Sequence, residues 1–174
     1  MRAEDVDGGP HPGAWRGRLT WVFIADTAGA PMVECDEARL VAGHGVEGDR
    51  YANGVGYYSY RPHEDRQVTL IETETLEALS RDHGIDLSPA ETRRNLVTRD
   101  VALNHLVGRC FRVGETVLYG GRLNIPCKYL EQMVDKPVFK PLINRSGLNC
   151  RILSGGRVYP GDVVEPLSDD GAVG

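Results

Sequence analysis

The chain has 174 residues, 41% of them hydrophobic and 26% charged, which suits one domain around one core. Its formal net charge is −5 and it carries no run of Lys and Arg, which argues against a nucleic-acid partner. The N-terminus is acidic with no apolar core behind it, and the longest apolar stretch, residues 19–25, is strand-sized, so neither a signal peptide nor a membrane span is expected and a cytoplasmic protein is.

Residues 1–16 are rich in Gly and Pro and read as a flexible arm, ahead of a single domain over 17–166. Residues 18–25 have the β-branched and aromatic content of a strand, 27–31 of a turn, and 37–42 of a second strand. Residues 43–56 then hold five glycines in fourteen positions, which forbids a regular helix or a central strand. Such a loop lets backbone N–H groups approach a ligand, with Asp49 and Arg50 to position it; the plainer reading is a surface loop needing positive φ. The aromatic residues of 57–62 either wall a cleft or pack on the body of the protein.

Residues 66–71 alternate as a strand. Residues 72–83 form a helix, with Thr73 as its cap, Leu76 and Leu79 facing inward, and Gly84 as its stop. Residues 88–95 read as a capped turn leading into a short strand at 95–98. Arg93, Arg94, Asn95 and Thr98 thus bring donors to a strand entrance. A guanidinium binds oxyanions through a planar fork, so a phosphate or carboxylate ligand is one reading, and a surface ion pair with Asp100 or Glu91 is the other. Residues 103–108 form a turn, and 109–113 with 116–119 form a hairpin around Gly114-Glu115.

The stretch 122–131 ends this β-rich run and opens a short helix. Pro126 suits a first helical turn, and Cys127 then falls in that same turn, where free N–H groups favour an anion. Lys128 adds a positive neighbour, and together these favour the reactive thiolate form. The plainer reading makes Cys127 a small buried apolar residue. Residues 136–141 break the helix, 148–153 form a strand, 154–156 a turn, 157–159 a short strand and 160–162 another turn. Residues 163–164 close the ordered part, and 167–174 are expected to fray. Of the four cysteines none forms a CxxC pair or a zinc-finger spacing, so all are read as reduced thiols, with Cys110 and Cys150 as core or face residues and Cys35 without a cationic neighbour. Many short strands, frequent turns and a few small helices predict a mainly β barrel with short peripheral helices.

Seven segments in this order resemble the MOSC domain, named after the C-terminal domain of molybdenum cofactor sulfurase. They are 45–52 (Gly-Val-Glu-Gly-Asp-Arg-Tyr-Ala), 66–72, 91–98 (Glu-Thr-Arg-Arg-Asn-Leu-Val-Thr), 106–114, Pro126-Cys127, 145–148 and 155–162. The resemblance implies a barrel like the small β-barrel domain of pyruvate kinase. It also implies that the cysteine at Cys127 carries sulfur as a persulfide or ligates the molybdenum of a bound pterin cofactor. Arg94, Asn95 and Thr98 match the family's RRN-x-x-T segment and would hold the cofactor's phosphate or pterin edge. Asp49 and Arg50 match its GDR element and would shape the pocket.

Two local departures stand out: Asn124 occupies the position where relatives often carry a second cysteine, and Arg145-Ser-Gly147 replaces an Arg-Gly-Gly. The resemblance spans roughly residues 18–166, so the extra domains of larger relatives are not expected here. The expected functions are therefore a molybdenum-cofactor-binding or sulfur-handling protein, a molybdenum-dependent reductase of N-hydroxylated compounds, or a non-catalytic barrel binding an anion or a partner. The first would work with a pyridoxal-phosphate cysteine desulfurase and, as a sulfur carrier, hold no cofactor tightly. The second would need an external electron donor.

Overall fold

The computed structural model describes residues 15–167; the expected arm (1–16) and tail (167–174) lie outside it but for Trp15, Arg16 and Leu167. The strands are β1 (Gly17–Ile24), β2 (Val33–Glu34), β3 (Ala38–Val41), β4 (Gly45–Val46), β5 (Val68–Glu72), β6 (Leu96–Arg99), β7 (Cys110–Val113), β8 (Thr116–Leu123), β9 (Leu148–Ser154), β10 (Gly156–Val158) and β11 (Val163–Pro166). Two helices accompany them, α1 (Thr73–His83) and α2 (Lys128–Val134).

Seven of these strands close a barrel in the order β1-β6-β5-β9-β8-β7-β11, with β11 returning to β1. Neighbours run antiparallel except β5 and β6, which are parallel because α1 carries the chain across between them. Closure removes the exposed edges an open sheet would carry. β3, β4 and β10 form a small separate sheet. The mainly β barrel with short peripheral helices is thus the observed architecture.

Inside the barrel, Val22, Leu70, Leu96, Phe111, Leu118 and Leu148 are fully buried, each contributing roughly 2 kcal/mol of apolar transfer free energy. β1 does not alternate cleanly. A register shift between Leu19 and Trp21 brings Leu19 and Val22, three residues apart, into the same core. Cys150 is buried in this core, whereas Cys110 is half-buried on β7, and all four cysteines are free thiols.

A second apolar cluster sits outside the barrel and positions the helices. Leu76 and Leu79 of α1 meet Leu130 of α2, with Val138 and Leu142 filling in and Cys127 packed against the group. Gly84 ends α1 at φ 63°, its N–H donating to the Ser80 carbonyl at 3.0 Å and the next N–H, of Ile85, to the Leu79 carbonyl at 3.2 Å. The cap of α1 differs from expectation. Glu72 occupies that position without a side-chain cap bond, and Thr73 is already helical, because the Glu72 carboxylate is engaged by the Leu103 N–H at 2.7 Å.

The chain enters β9 through Gly147 at φ 101°, where a Cβ would sit 2.0 Å from the Leu70 carbonyl oxygen. This close approach seats the preceding residue, Ser146, against the barrel. Gly147→Ala is expected to lower stability by about 2 kcal/mol or more, combining left-handed strain with a backbone clash. Urea unfolding checks this, and an unchanged midpoint would contradict it.

Candidate functional site

A cavity of about 250 Å³ opens between the glycine-rich loop, the approach to β6, the end of β8 and the segment leading into α2. Five guanidinium side chains line it, those of Arg50, Arg66, Arg93, Arg94 and Arg122, and no carboxylate does. Cys127 lines the same wall. A smaller space of about 50 Å³ reaches Cys127 from the other side, bounded by Tyr57 and Tyr129. Those two rings stack at 3.9 Å with 11° between their planes, joining the segment after the glycine-rich loop to α2.

Cys127 stands one position earlier in the helix than expected. It is the N-cap of α2, with extended backbone, and its sulfur accepts a hydrogen bond from the Leu130 N–H at 3.4 Å. Pro126 precedes the cap and is outside the helix. The sulfur fills the role that a Ser or Asp oxygen usually takes at a helix start. Lys128 turns away from the cavity. Its ammonium pairs with Glu131 at 2.9 Å and lies 4.7 Å from the Phe139 ring centroid, and Lys128 is absent from both linings.

Arg94 is the most heavily bonded residue here. Its Nε donates to the Ser146 carbonyl at 3.1 Å, and one terminal nitrogen to the Thr92 carbonyl at 3.0 Å. The other donates to Asn124 Oδ1 at 2.5 Å and to Ser146 Oγ at 3.0 Å. Burial lowers its pKa from the usual arginine value to about 10, while a thiolate on Cys127 acts in the opposite direction. Arg93 is lowered too, by burial first and by the charge of Arg50 second. Burial pushes the Tyr58 phenol up, and the neighbouring Cys127 sulfur adds to that.

Asp49 and Arg50 form a pair inside the loop. The Asp49 carboxylate accepts from the Ala25 N–H at 3.1 Å, the Tyr51 N–H at 3.2 Å and Arg50 at 3.0 Å. Asp49 therefore ties the loop to the end of β1 and aims Arg50, whose side chain is 7% exposed, into the cavity. Asn95 and Thr98 lie behind the cavity wall and line neither space. Asn95 accepts from the Thr69 N–H and hydroxyl, both at 3.2 Å, and donates to the Phe23 carbonyl at 3.2 Å, so it joins β1, β5 and β6. Thr98 is fully buried, with its hydroxyl 3.5 Å from the Ile71 carbonyl.

Sequence reasoning does not assign Arg66, Arg122 or Asn149 to the site, and it reads Asn124 only as the place of a missing second cysteine. A register shift between Gly120 and Arg122 sets Arg122 opposite Asn149, and both line the cavity. The Arg122 Nε is buried and has no hydrogen-bond partner among the described residues. Asn124 bridges Arg94 to Asn149, donating to Asn149 Oδ1 at 2.8 Å. The proximity of Arg122 to Pro126-Cys127 in sequence is the one signal that was available. Among the described residues no three His, Cys, Asp or Glu side chains cluster as metal ligands, so Cys127 offers a metal a single soft ligand.

The sequence profile for the MOSC domain matches residues 42–165. Among solved structures, the chain is similar to the YuaD protein of Bacillus subtilis, at 18% identity and a TM-score of 0.74, covering 89% of this chain and 98% of that one. It is also similar to YiiM of Geobacillus stearothermophilus, at 13% identity and a TM-score of 0.66, covering 90% of this chain and 77% of the other. For YiiM of Escherichia coli the figures are 20% identity and a TM-score of 0.64, covering 87% and 70%. At these identities the likeness establishes the fold. No curated protein matches the chain in sequence.

Two substitutions separate support from binding. Asn95→Ala leaves buried partners unbonded and is expected to cost about 2 kcal/mol of stability while the affinity for tungstate, a tetrahedral oxyanion used as a probe of the arginine-lined cavity, stays within about twofold. Arg122→Gln is expected to weaken tungstate binding by about tenfold with an unchanged melting temperature. Calorimetric titration alongside thermal unfolding measures both, and the opposite pattern would exchange their roles.

Proposed function

This chain belongs to the MOSC domain family, and on that premise we propose that Cys127 works as a sulfur-carrying thiolate inside an anion pocket. One observation carries the reading: the thiol lines a cavity walled by five guanidiniums and no carboxylate. A sulfur carrier needs a nucleophilic sulfur and a place for the charge of the persulfide that results. Arg94 is held rigid by four hydrogen bonds, so it offers a fixed positive field beside that sulfur. Arg122 retains an unpaired donor. The Tyr57–Tyr129 stack bounds the second space that Cys127 lines. A pyridoxal-phosphate cysteine desulfurase is the partner this reading calls for, and no tightly held cofactor is needed.

The donor set also fits the molybdenum cofactor. Cys127 would supply one soft ligand, and Arg93 and Arg122 would hold its phosphate within the fixed positive charge of Arg94. When bound, that group supplies oxygen-atom chemistry, and the protein's part is to orient it and exclude water. Asn95 and Thr98 would act on it only through the strands they support. A second reading follows: a molybdenum-dependent reductase of N-hydroxylated compounds served by an external electron donor. It is favoured by an open cavity of about 390 Å³ next to the first, which shares Tyr51 and Arg66 with it and leaves room for a second molecule. Against it, the inner cavity of about 250 Å³ lies below the span of about 300–1,000 Å³ usual for cofactor-sized ligands.

The test compares wild type with Cys127→Ser, purified anaerobically from a host that makes molybdenum cofactor. Serine preserves the cap, so both chains should fold alike. Incubation with a cysteine desulfurase and cysteine is expected to add one sulfur to wild type and none to the variant, read by intact mass. Near-stoichiometric molybdenum and pterin in wild type, lost in the variant and without sulfur loading, would overturn the carrier reading in favour of the reductase.

A further inference from the structure

We propose that this cavity takes thiosulfate, or another small thiosulfonate anion, as a direct sulfur donor to Cys127. The inference rests on the sulfur-carrier reading and adds to it a substrate class and a reaction, transfer of the outer sulfur of thiosulfate or an organic thiosulfonate without a protein donor.

Size and charge argue for it together. The cavity holds about 250 Å³, enough for a tetrahedral dianion and its residual hydration. Guanidiniums match tetrahedral oxyanions through paired N–H groups. Arg50 is more than nine-tenths buried and still lines the cavity. Arg122 lines the cavity, and its guanidinium makes no hydrogen bond to the described residues, so its charge is not committed to an internal partner. Burial holds Arg93 and Arg94 below the usual arginine pKa, and a bound dianion would offset both that desolvation and the repulsion between Arg50 and Arg93.

The reaction balances without an added oxidant or reductant. The Cys127 thiolate attacks the outer, sulfane sulfur of thiosulfate and forms a Cys127 Sγ–S bond. The S–S bond of thiosulfate breaks, its electron pair leaves with sulfite, and Cys127 is left as an anionic persulfide. One thiolate and one dianion become one persulfide anion and one dianion, so the guanidiniums face the same total charge before and after. Sulfite gathers charge on its oxygens as it departs, which is where the guanidiniums are placed to stabilise it.

The persulfide would also persist. The position three residues before Cys127 is Asn124, which carries no thiol to displace the sulfur. Cys150 is sealed in the barrel core, where burial pushes its thiol pKa well up, and neither Cys35 nor Cys110 lines the cavity. Release of the sulfur therefore requires an external nucleophile, for which cyanide is a convenient probe.

The experiment incubates the full chain with thiosulfate under anaerobic conditions, followed by intact mass and sulfite measurement. Wild type is expected to gain one sulfur with release of one equivalent of sulfite, to yield thiocyanate when cyanide is added, and to be inhibited by sulfate. Cys127→Ser should gain none. Arg122→Gln should raise the thiosulfate concentration needed for half-maximal loading by about tenfold, the loss of one charge-assisted hydrogen bond, while Arg122→Lys should recover part of it. Loading by a cysteine desulfurase with none from thiosulfate would overturn this inference and leave the carrier reading intact. Loading from neither would overturn both. Loading from thiosulfate unaffected by sulfate or by Arg122→Gln would mean that the arginine cavity is not the binding site.

Discussion

The site depends on how the Arg94 guanidinium is held. A buried positive charge is tolerated when its N–H groups are bonded, and Arg94 directs four hydrogen bonds to three separate segments. Thr92 belongs to the turn before β6, Ser146 to the turn before β9, and Asn124 to the segment between β8 and Cys127. These bonds fasten the approach to the thiol onto the barrel. Ser146 can meet Arg94 because Gly147 admits the Leu70 carbonyl where any side chain would clash. The bonds also spend most of the donors of Arg94, so it contributes a fixed charge and geometry more than a free hand for a ligand.

Gathering five guanidiniums around one space opposes folding, since like charges repel and burial strips their water. The protein offsets this locally. Asp49 neutralises Arg50 while its remaining oxygen capacity goes to the Ala25 and Tyr51 N–H groups. Arg93 gives a terminal nitrogen to the Ala30 carbonyl, and Arg66 gives one to the carbonyls of Tyr58 and Arg61. Backbone carbonyls thus take up much of the donor capacity without bringing a carboxylate into the cavity. The outcome is a site that remains attractive to anions because its internal partners are mostly dipoles, and Arg122 is left with the unmet donor.

How much of this the sequence reveals varies with the range of the interactions. The hairpin of β7 and β8, the inward face of α1 and the Gly84 stop follow from short-range patterns and turn chemistry, and the order of motifs indicates the barrel. The register shifts at Leu19/Trp21 and Gly120/Arg122 leave no clear local trace, because each is fixed by the strand across the gap. The second shift decides that Arg122 is a cavity residue. Asn95 and Thr98 read as ligand donors because they are polar and lie beside two arginines, but Asn95, just before β6, spends its amide on Thr69 and Phe23, and Thr98 is sealed within β6 beside the Ile71 carbonyl. Lys128 follows Cys127 in sequence, yet the first turn of α2 carries it toward Glu131.

Asn124 shows how a substitution beside the key thiol can alter both structure and chemistry. Where relatives often have cysteine, its amide oxygen accepts from Arg94 and Ser146, and its amide nitrogen donates to Asn149. A thiol has one weak donor and a weak acceptor, and it could not make this set of bonds. The same change removes the neighbour that would otherwise close a disulfide with Cys127. Firmer anchoring of Arg94 and the loss of a resolving thiol therefore arise from a single side chain. Both suit the proposed role of a cysteine that works alone in a fixed field of positive charge and passes sulfur to a small or tethered nucleophile.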